Sequence, residues 1–172
     1  FASGSLRLQQ NKPQKAIPLI KKGLKLEPNN SNAYFQLGNA RIMQKKFQLA
    51  LLAFQQASKN KANFWEALNN QGLVLFEMGK TKQAIMTWKN VLKIKENPEP
   101  MLALAAALNK IEKTKKDAIT LAKKALVLDP KYASSKHQAE QLWGEKLQQA
   151  AKQLFKDPEL ISTIEEALEK TK

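Results

Sequence analysis

The side chains whose types could do chemistry are Asn39, Asn70 and His137, and together they build no catalytic constellation. His137 is the only histidine, and there is no cysteine. One imidazole cannot build a histidine-rich metal site, and no carboxylate-rich loop takes its place. Without cysteine there are no disulfides, thiolate ligands or thiol nucleophiles. Glu165 and Glu166 stand among lysines and read as the polar face of a helix, not as a general acid–base pair. No dinucleotide-binding glycine motif, phosphate loop or nucleophile elbow occurs. His137 reads as solvated or packed. The expectation is a chain that is not an enzyme, with no metal and no cofactor. Asn39 and Asn70, by contrast, each carry an amide that both donates and accepts.

Such amides need a scaffold. The 172 residues suffice for one domain with a sizeable core or a short repeat array. With 43% hydrophobic and 26% charged residues the composition is that of a soluble globular protein. No apolar run is long enough for a transmembrane helix. The chain opens on Phe1, so it is expected to be a processed product or a fragment whose upstream signal or anchor is missing; the compartment stays unknown. The formal net charge of +14 admits an acidic protein or an anionic membrane surface as partner. Nucleic acid is disfavoured: the only arginines are Arg7 and Arg41, and lysine lacks the bidentate fork that reads phosphates and bases. A solvated basic surface is the simplest reading of the charge.

Gly38 lies inside the apolar helical pattern Gln36–Ala57, where glycine costs about 1 kcal/mol relative to alanine. The reason is a repeat. Gly4, Gly38, Gly72 and Ala106 share a slot at a 34-residue step. Ala16, Ala50, Ala84 and Ala118 share a second, and Ile20, Phe54, Trp88 and Ala122 a third. Gly23, Ala57, Val91 and Ala125 share a fourth, and Pro28 and Pro130 fall in one slot three repeats apart. Small residues in fixed slots with a bulky one between them describe paired antiparallel helices whose backbones approach closely. Gly38 is expected to let the first helix of its hairpin reach the second, near Ala50.

The pattern resembles the tetratricopeptide repeat (TPR) family. Tyr34, Leu37, Gly38, Ala50, Phe54 and Ala57 carry its motif in one repeat; Leu68, Gly72, Ala84 and Trp88 carry it in the next, with Gln71 in place of leucine and Val91 in place of alanine. Ala118, Ala125 and Pro130 carry the second half of a further unit. The resemblance implies an all-α fold, a right-handed α-α superhelix (TPR solenoid) closed by C-terminal capping helices. The expected units are residues 1–30, a repeat with a truncated first helix; 31–64, 65–98 and 99–132, three further repeats; 133–156, a capping helix; and 157–172, a terminal helix. Helices are expected at about 13–26, 32–44, 47–60, 64–78, 82–94, 99–111 and 115–128, after a short one running through Gln10. Gly79 is expected to cap a helix C-terminus. Tyr132, Ala139, Trp143, Leu147, Ala150 and Leu154 read as the stripe of one long capping helix. Asp157-Pro158-Glu159 starts a final helix whose Leu160, Ile161, Ile164 and Leu168 either fold back or dock on another chain. Leu142-Trp143-Gly144-Glu145 is similar to the tails of certain cyanobacterial or plastid TPR proteins.

The resemblance implies a non-catalytic protein–protein interaction module that holds a partner peptide or helix in its concave groove, lined by the first helix of each repeat, and acts as a scaffold or assembly factor. Helical spacing puts Asn32, Phe35, Gln36, Asn39 and Met43 on that face, then Glu66, Asn69, Asn70, Leu73 and Glu77, then Ala103, Leu104 and Ala107. Phe35, Met43 and Leu73 would take apolar side chains there, or Phe35 and Leu73 would only pack between repeats. Asn39 and Asn70 match the two asparagines of the family's carboxylate clamp, but Phe35, Pro100 and Leu104 fill its cation slots, so binding to chaperone tails is not expected. Lys45, Lys46, Lys80, Lys82, Lys113, Lys115 and Lys116 fall at the turns within hairpins and form a basic edge. That edge would dock on an anionic membrane surface or nucleic acid in an alternative reading. A regulatory domain of a larger enzyme is another, and self-association through the chain ends is open.

Overall fold

The computed structural model describes residues 10–172. Ten α-helices occur among them: α1 Pro13–Leu26, α2 Ser31–Met43, α3 Phe47–Asn60, α4 Trp65–Glu77, α5 Thr81–Ile94, α6 Pro98–Leu108, α7 Lys115–Leu128, α8 Ser135–Glu140, α9 Glu145–Leu154 and α10 Ile161–Lys170. Each helix from α1 to α7 packs on the next in sequence, so α2–α3, α4–α5 and α6–α7 form hairpins stacked into a right-handed solenoid. The helix expected to run through Gln10 lies, up to residue 9, outside the described residues, as do the slot at Gly4 and Arg7, and Gln10 itself is in a turn.

The repeated slots meet in pairs. A Cβ on Gly38 would stand 2.4 Å from the Phe54 ring, and one on Gly72 would stand 2.5 Å from Trp88 Nε1. Neither aromatic ring has any exposed surface. In the next hairpin Ala122 replaces the bulky residue and Ala106 the glycine, and both are fully buried. Small residue and ring therefore exchange volume across each hairpin, as close packing demands. Ala16, Ala50, Ala84 and Ala118, all fully buried, complete the contact.

The turns that lead into α1, α3 and α5 share a second signature. Asn11, Lys45 and Gly79, again 34 residues apart, take φ values of 55°, 56° and 78°. After α2 and α4 the hydrogen bonds are those of a Schellman cap: Lys46 N donates to Arg41 O and Lys45 N to Ile42 O, while Lys80 N donates to Leu75 O and Gly79 N to Phe76 O. Gly79 thus does cap its helix, and lysine fills the same left-handed position after α2. In the last hairpin α6 stops at Leu108, three residues short of the expected end, and a 3-10 turn at Glu112–Thr114 leads into α7.

The long capping helix expected after Pro130 is instead broken into pieces. A 3-10 turn, Pro130–Ala133, precedes α8, and a bend at residues 141–144 separates α8 from α9. Ser134 caps α8 by accepting from His137 N. Leu142 then takes φ 66°, a left-handed conformation that no continuous helix allows. The break is a Schellman cap of α8, in which Trp143 N donates to Gln138 O and Leu142 N to Ala139 O, and beyond it Trp143 is buried, 3% exposed. Ala139, assigned to the buried stripe, is exposed. The other stripe residues, Leu147, Ala150 and Leu154, do bury, against α6 and α4. At the C-terminus Asp157 Oδ1 accepts from Glu159 N, a 3-10 turn follows, and α10 folds back on α7 and on residues 130–133. Leu160 is buried and Ile164 half-buried, but Ile161 and Leu168 face solvent.

Candidate functional site

The groove divides in two. Over α4 and α6 it is filled by the chain's own residues 142–154. Helix α6 is buried from Pro100 through Leu108, on all sides, so Ala103, Leu104 and Ala107 are unavailable to a partner. An all-apolar helix is stable only when covered all round, and α9 supplies the missing cover. Glu77, expected to face a partner, is engaged in the same way: its carboxylate accepts from Leu147 N at 3.0 Å and Lys146 N at 3.2 Å and caps the N-terminus of α9. Gly144 allows this approach, since a Cβ there would stand 2.2 Å from the Glu77 carboxyl carbon. Leu73 is 1% exposed and belongs to the core. It cannot receive a partner's side chain.

The open part lies between α2 and α4 on one side and residues 132–142 on the other. It is a cavity of ≈ 470 Å³. Phe35 and Asn39 come from α2, Trp65, Glu66, Asn69 and Asn70 from α4. Asn97, Glu99, Tyr132 and the Glu140–Leu142 stretch complete the wall. The amides form a chain: Asn69 Nδ2 donates to Asn70 Oδ1 at 3.3 Å, and Asn70 Nδ2 donates to Asn39 Oδ1 at 2.9 Å. Asn69 and Asn70 are buried, Asn39 half-buried. Among the described residues Asn69 Oδ1 has no hydrogen-bond partner. Phe35 packs on Phe54 and Phe64, with centroids at 5.8 and 5.3 Å, while one side lines the cavity.

Glu99 ties the two parts together. It sits in the first turn of α6, where Asn97 Oδ1 accepts from its N–H. Its carboxylate accepts from Trp143 Nε1 at 3.1 Å and is hydrogen-bonded to Asn69 and the Tyr132 hydroxyl. Burial pushes its pKa up to about 7, and those hydrogen bonds only partly oppose the shift. Burial, reinforced by the charges of Glu99 and Asp129, also raises the Tyr132 phenol. Sequence reading missed Glu99, Trp65, Tyr132 and Glu140 as site residues. The signal was there for Glu99: a carboxylate set between two prolines at the start of an all-apolar helix.

Other predicted site residues lie elsewhere. Asn32 is exposed at the start of α2, outside the cavity wall, and Gln36 is half-buried with its Oε1 unpartnered. Met43 lines a second, more apolar hollow of ≈ 360 Å³ with Ile42, Phe47 and Leu142. Lys45, Lys46, Lys80, Lys82, Lys113, Lys115 and Lys116 are all exposed at three successive hairpin turns. Lys45 pairs with Glu145 at 3.4 Å and Lys115 with Glu112 at 2.6 Å. Among the described residues no group of three or more His, Cys, Asp or Glu side chains could hold a metal ion, and no helix is long and apolar enough to cross a membrane.

Comparison with known proteins agrees with this architecture. Residues 1–63 match a family model described as "Tetratricopeptide repeat". A comparison with the curated proteins gives no match. Among solved structures, a crystal structure of MamA protein is 27% identical over 77% of this chain and 73% of its own, with a TM-score of 0.65. MamA 41-end from Desulfovibrio magneticus RS-1 is 20% identical and covers 96% of this chain and 93% of its own, with a TM-score of 0.70. YrrB, described as a TPR protein with an unusual peptide-binding site, is 17% identical over 96% of this chain and 88% of its own, with a TM-score of 0.65. The fold is that of a tetratricopeptide-repeat solenoid. The likeness of Leu142–Glu145 to cyanobacterial or plastid proteins finds no support in these comparisons.

Proposed function

We propose that this tetratricopeptide-repeat solenoid is a non-catalytic interaction module that binds a peptide segment of a partner protein in the open part of its groove, between α2 and α4, and serves as a scaffold or assembly factor. The solenoid is an architecture of protein–protein interaction modules, and YrrB, of the same fold, is described as having a peptide-binding site. The observation that carries the reading is the amide chain Asn39–Asn70–Asn69, which lines an open cavity and leaves a buried carbonyl oxygen unpartnered. A buried acceptor without a donor costs on the order of 1–3 kcal/mol, and a peptide N–H would relieve it. The self-filled part over α4 and α6 then acts as a fixed wall. Panning a random peptide library against the full chain tests the reading. Enriched peptides should lose binding to Asn39→Ala and Trp65→Ala variants and keep it in high salt. No enrichment, or peptides that ignore both variants, would overturn it.

The exposed lysines at three successive turns favour a second reading, docking of that edge on an anionic surface. Its mark is binding to vesicles containing anionic lipid that collapses as salt is raised from 50 to 500 mM, roughly the range over which the screening length falls to a third.

A further inference from the structure

The open cavity has the wrong charge for this protein. Lysine and arginine outnumber aspartate and glutamate 29 to 15, yet among the described residues the cavity is lined by Glu66, Glu99 and Glu140 and by no lysine or arginine. The carboxylates come from three separate elements: Glu66 from α4, Glu99 from α6 and Glu140 from the end of α8. Three aromatic side chains, Phe35, Trp65 and Tyr132, line the same space. Independently of charge, Asn69 is 1% exposed, lines this cavity, and holds an Oδ1 to which none of the described residues donates. Carboxylates, an unmet amide oxygen and aromatic rings have one ligand chemistry in common: each favours a cation that carries N–H donors.

The geometry points to a pocket for the cationic side chain, arginine or lysine, of the peptide that occupies the groove. This rests on the groove reading above and names what that groove selects. A guanidinium offers five donors in a plane and an ammonium three, enough for two carboxylates and the Asn69 carbonyl together. An aromatic wall adds attraction for either cation, more for the weakly hydrated guanidinium. An acidic side chain would meet the like charge of Glu66 and Glu140, and a neutral one would leave those two carboxylates without a counter-ion, so selectivity comes from repulsion as well as attraction. The chain as a whole, at net +14, repels a basic peptide, so its retention reports this pocket and not general charge.

The test uses the full chain and two end-blocked peptides, Gly-Gly-Arg-Gly-Gly and the same sequence with citrulline, which keeps the shape of arginine and removes its charge. The indole N–H signal of Trp65 is followed by NMR in wild type and in Glu66→Gln, Glu140→Gln and the double variant. Glu66 is half-buried and Glu140 exposed, so thermal melts of these variants should match wild type. The arginine peptide should shift Trp65 saturably, the citrulline peptide should bind at least about tenfold more weakly, and the double variant should erase that difference. Equal binding of the two peptides, or an arginine preference that survives the double variant, would overturn the cation pocket while leaving the groove reading standing. Failure of the arginine peptide to move Trp65 at millimolar concentration would also overturn it, and the library experiment then decides the groove separately.

Discussion

Replacing Gly72 by alanine sets two physical effects against each other with opposite signs. By helix propensity alone, Gly72→Ala in the middle of α4 stabilises by about 1 kcal/mol. By packing, the new methyl would stand 2.5 Å from Nε1 and 2.6 Å from Cε2 of Trp88. The indole has no exposed surface and no hydrogen bond on Nε1 to steer it elsewhere. Ordinary contact demands that it retreat by roughly 1 Å into a close-packed core, and overpacking of that kind costs about 1–3 kcal/mol, here toward the upper end. The net expectation is a loss of about 2 kcal/mol, read as a lower urea midpoint at unchanged slope. The decisive control is the same change on a Trp88→Ala background. There the obstructing ring is gone, the pair reproduces the natural Ala106–Ala122 combination, and Gly72→Ala should stabilise by about 1 kcal/mol. The sign should therefore reverse, with a coupling of about 3 kcal/mol. If Gly72→Ala stabilised the wild-type chain, or if its effect were the same in both backgrounds, the explanation of the glycine slot would be refuted.

Other expectations follow from the same contacts. Glu99 holds its proton up to about pH 7 when folded and releases it near 4.5 when unfolded, so its contribution to stability is complete below 4.5 and is lost as pH rises through 7. Glu99→Gln should therefore gain on wild type across that window, by on the order of 3 kcal/mol at pH 8, in urea unfolding compared pH by pH; a difference independent of pH would contradict the assignment. Lys45→Gly should stabilise by about 1 kcal/mol, because it relieves a left-handed backbone at a Schellman cap, whereas Gly79→Ala should destabilise by a similar amount in the same assay. Glu77→Ala should remove the cap of α9, cost about 1 kcal/mol, and speed hydrogen exchange at Lys146 and Leu147 before the α2–α3 hairpin; uniform exchange across the chain would argue against a local cap. Leu73→Ala should cost about 2–5 kcal/mol, measured by thermal melting, as befits a core residue.

Much of the fold was legible because a 34-residue recurrence reports volume exchange directly. Gly38 and Gly72 face bulky partners, Ala106 faces a small one, and each substitution is readable without coordinates. The C-terminal third was less legible because its stripe is ambiguous between continuous and broken helix. Tyr132 through Leu154 keeps an approximate helical period, and nothing local marks Leu142 as the residue that takes φ 66°. Leu142 takes the left-handed position of a Schellman cap that closes α8, with Trp143 N donating to Gln138 O and Leu142 N to Ala139 O, and Trp143 then packs beside Tyr132 and donates to Glu99, 44 residues away. The groove suffered most from this. Helical spacing put Asn39, Glu66, Asn69 and Asn70 on one face, and they line one cavity, but it could not show that the chain itself covers Leu73, Glu77 and Ala103. One clue went unused: Met101–Leu108 is apolar on every side, and a solvent-facing groove helix would not be.

The three tryptophans provide the most direct test of the claim that a partner enters the open part of the groove and leaves the self-filled part in place. Trp65 lines the open cavity, Trp88 sits in the hairpin core, and Trp143 is buried beside Glu99. Their indole N–H signals can be followed together while a library-selected peptide is titrated into the full chain. The account predicts that Trp65 shifts and saturates while Trp88 and Trp143 stay where they are. A shift of Trp143 without Trp65, or saturable binding that moves neither, would contradict it.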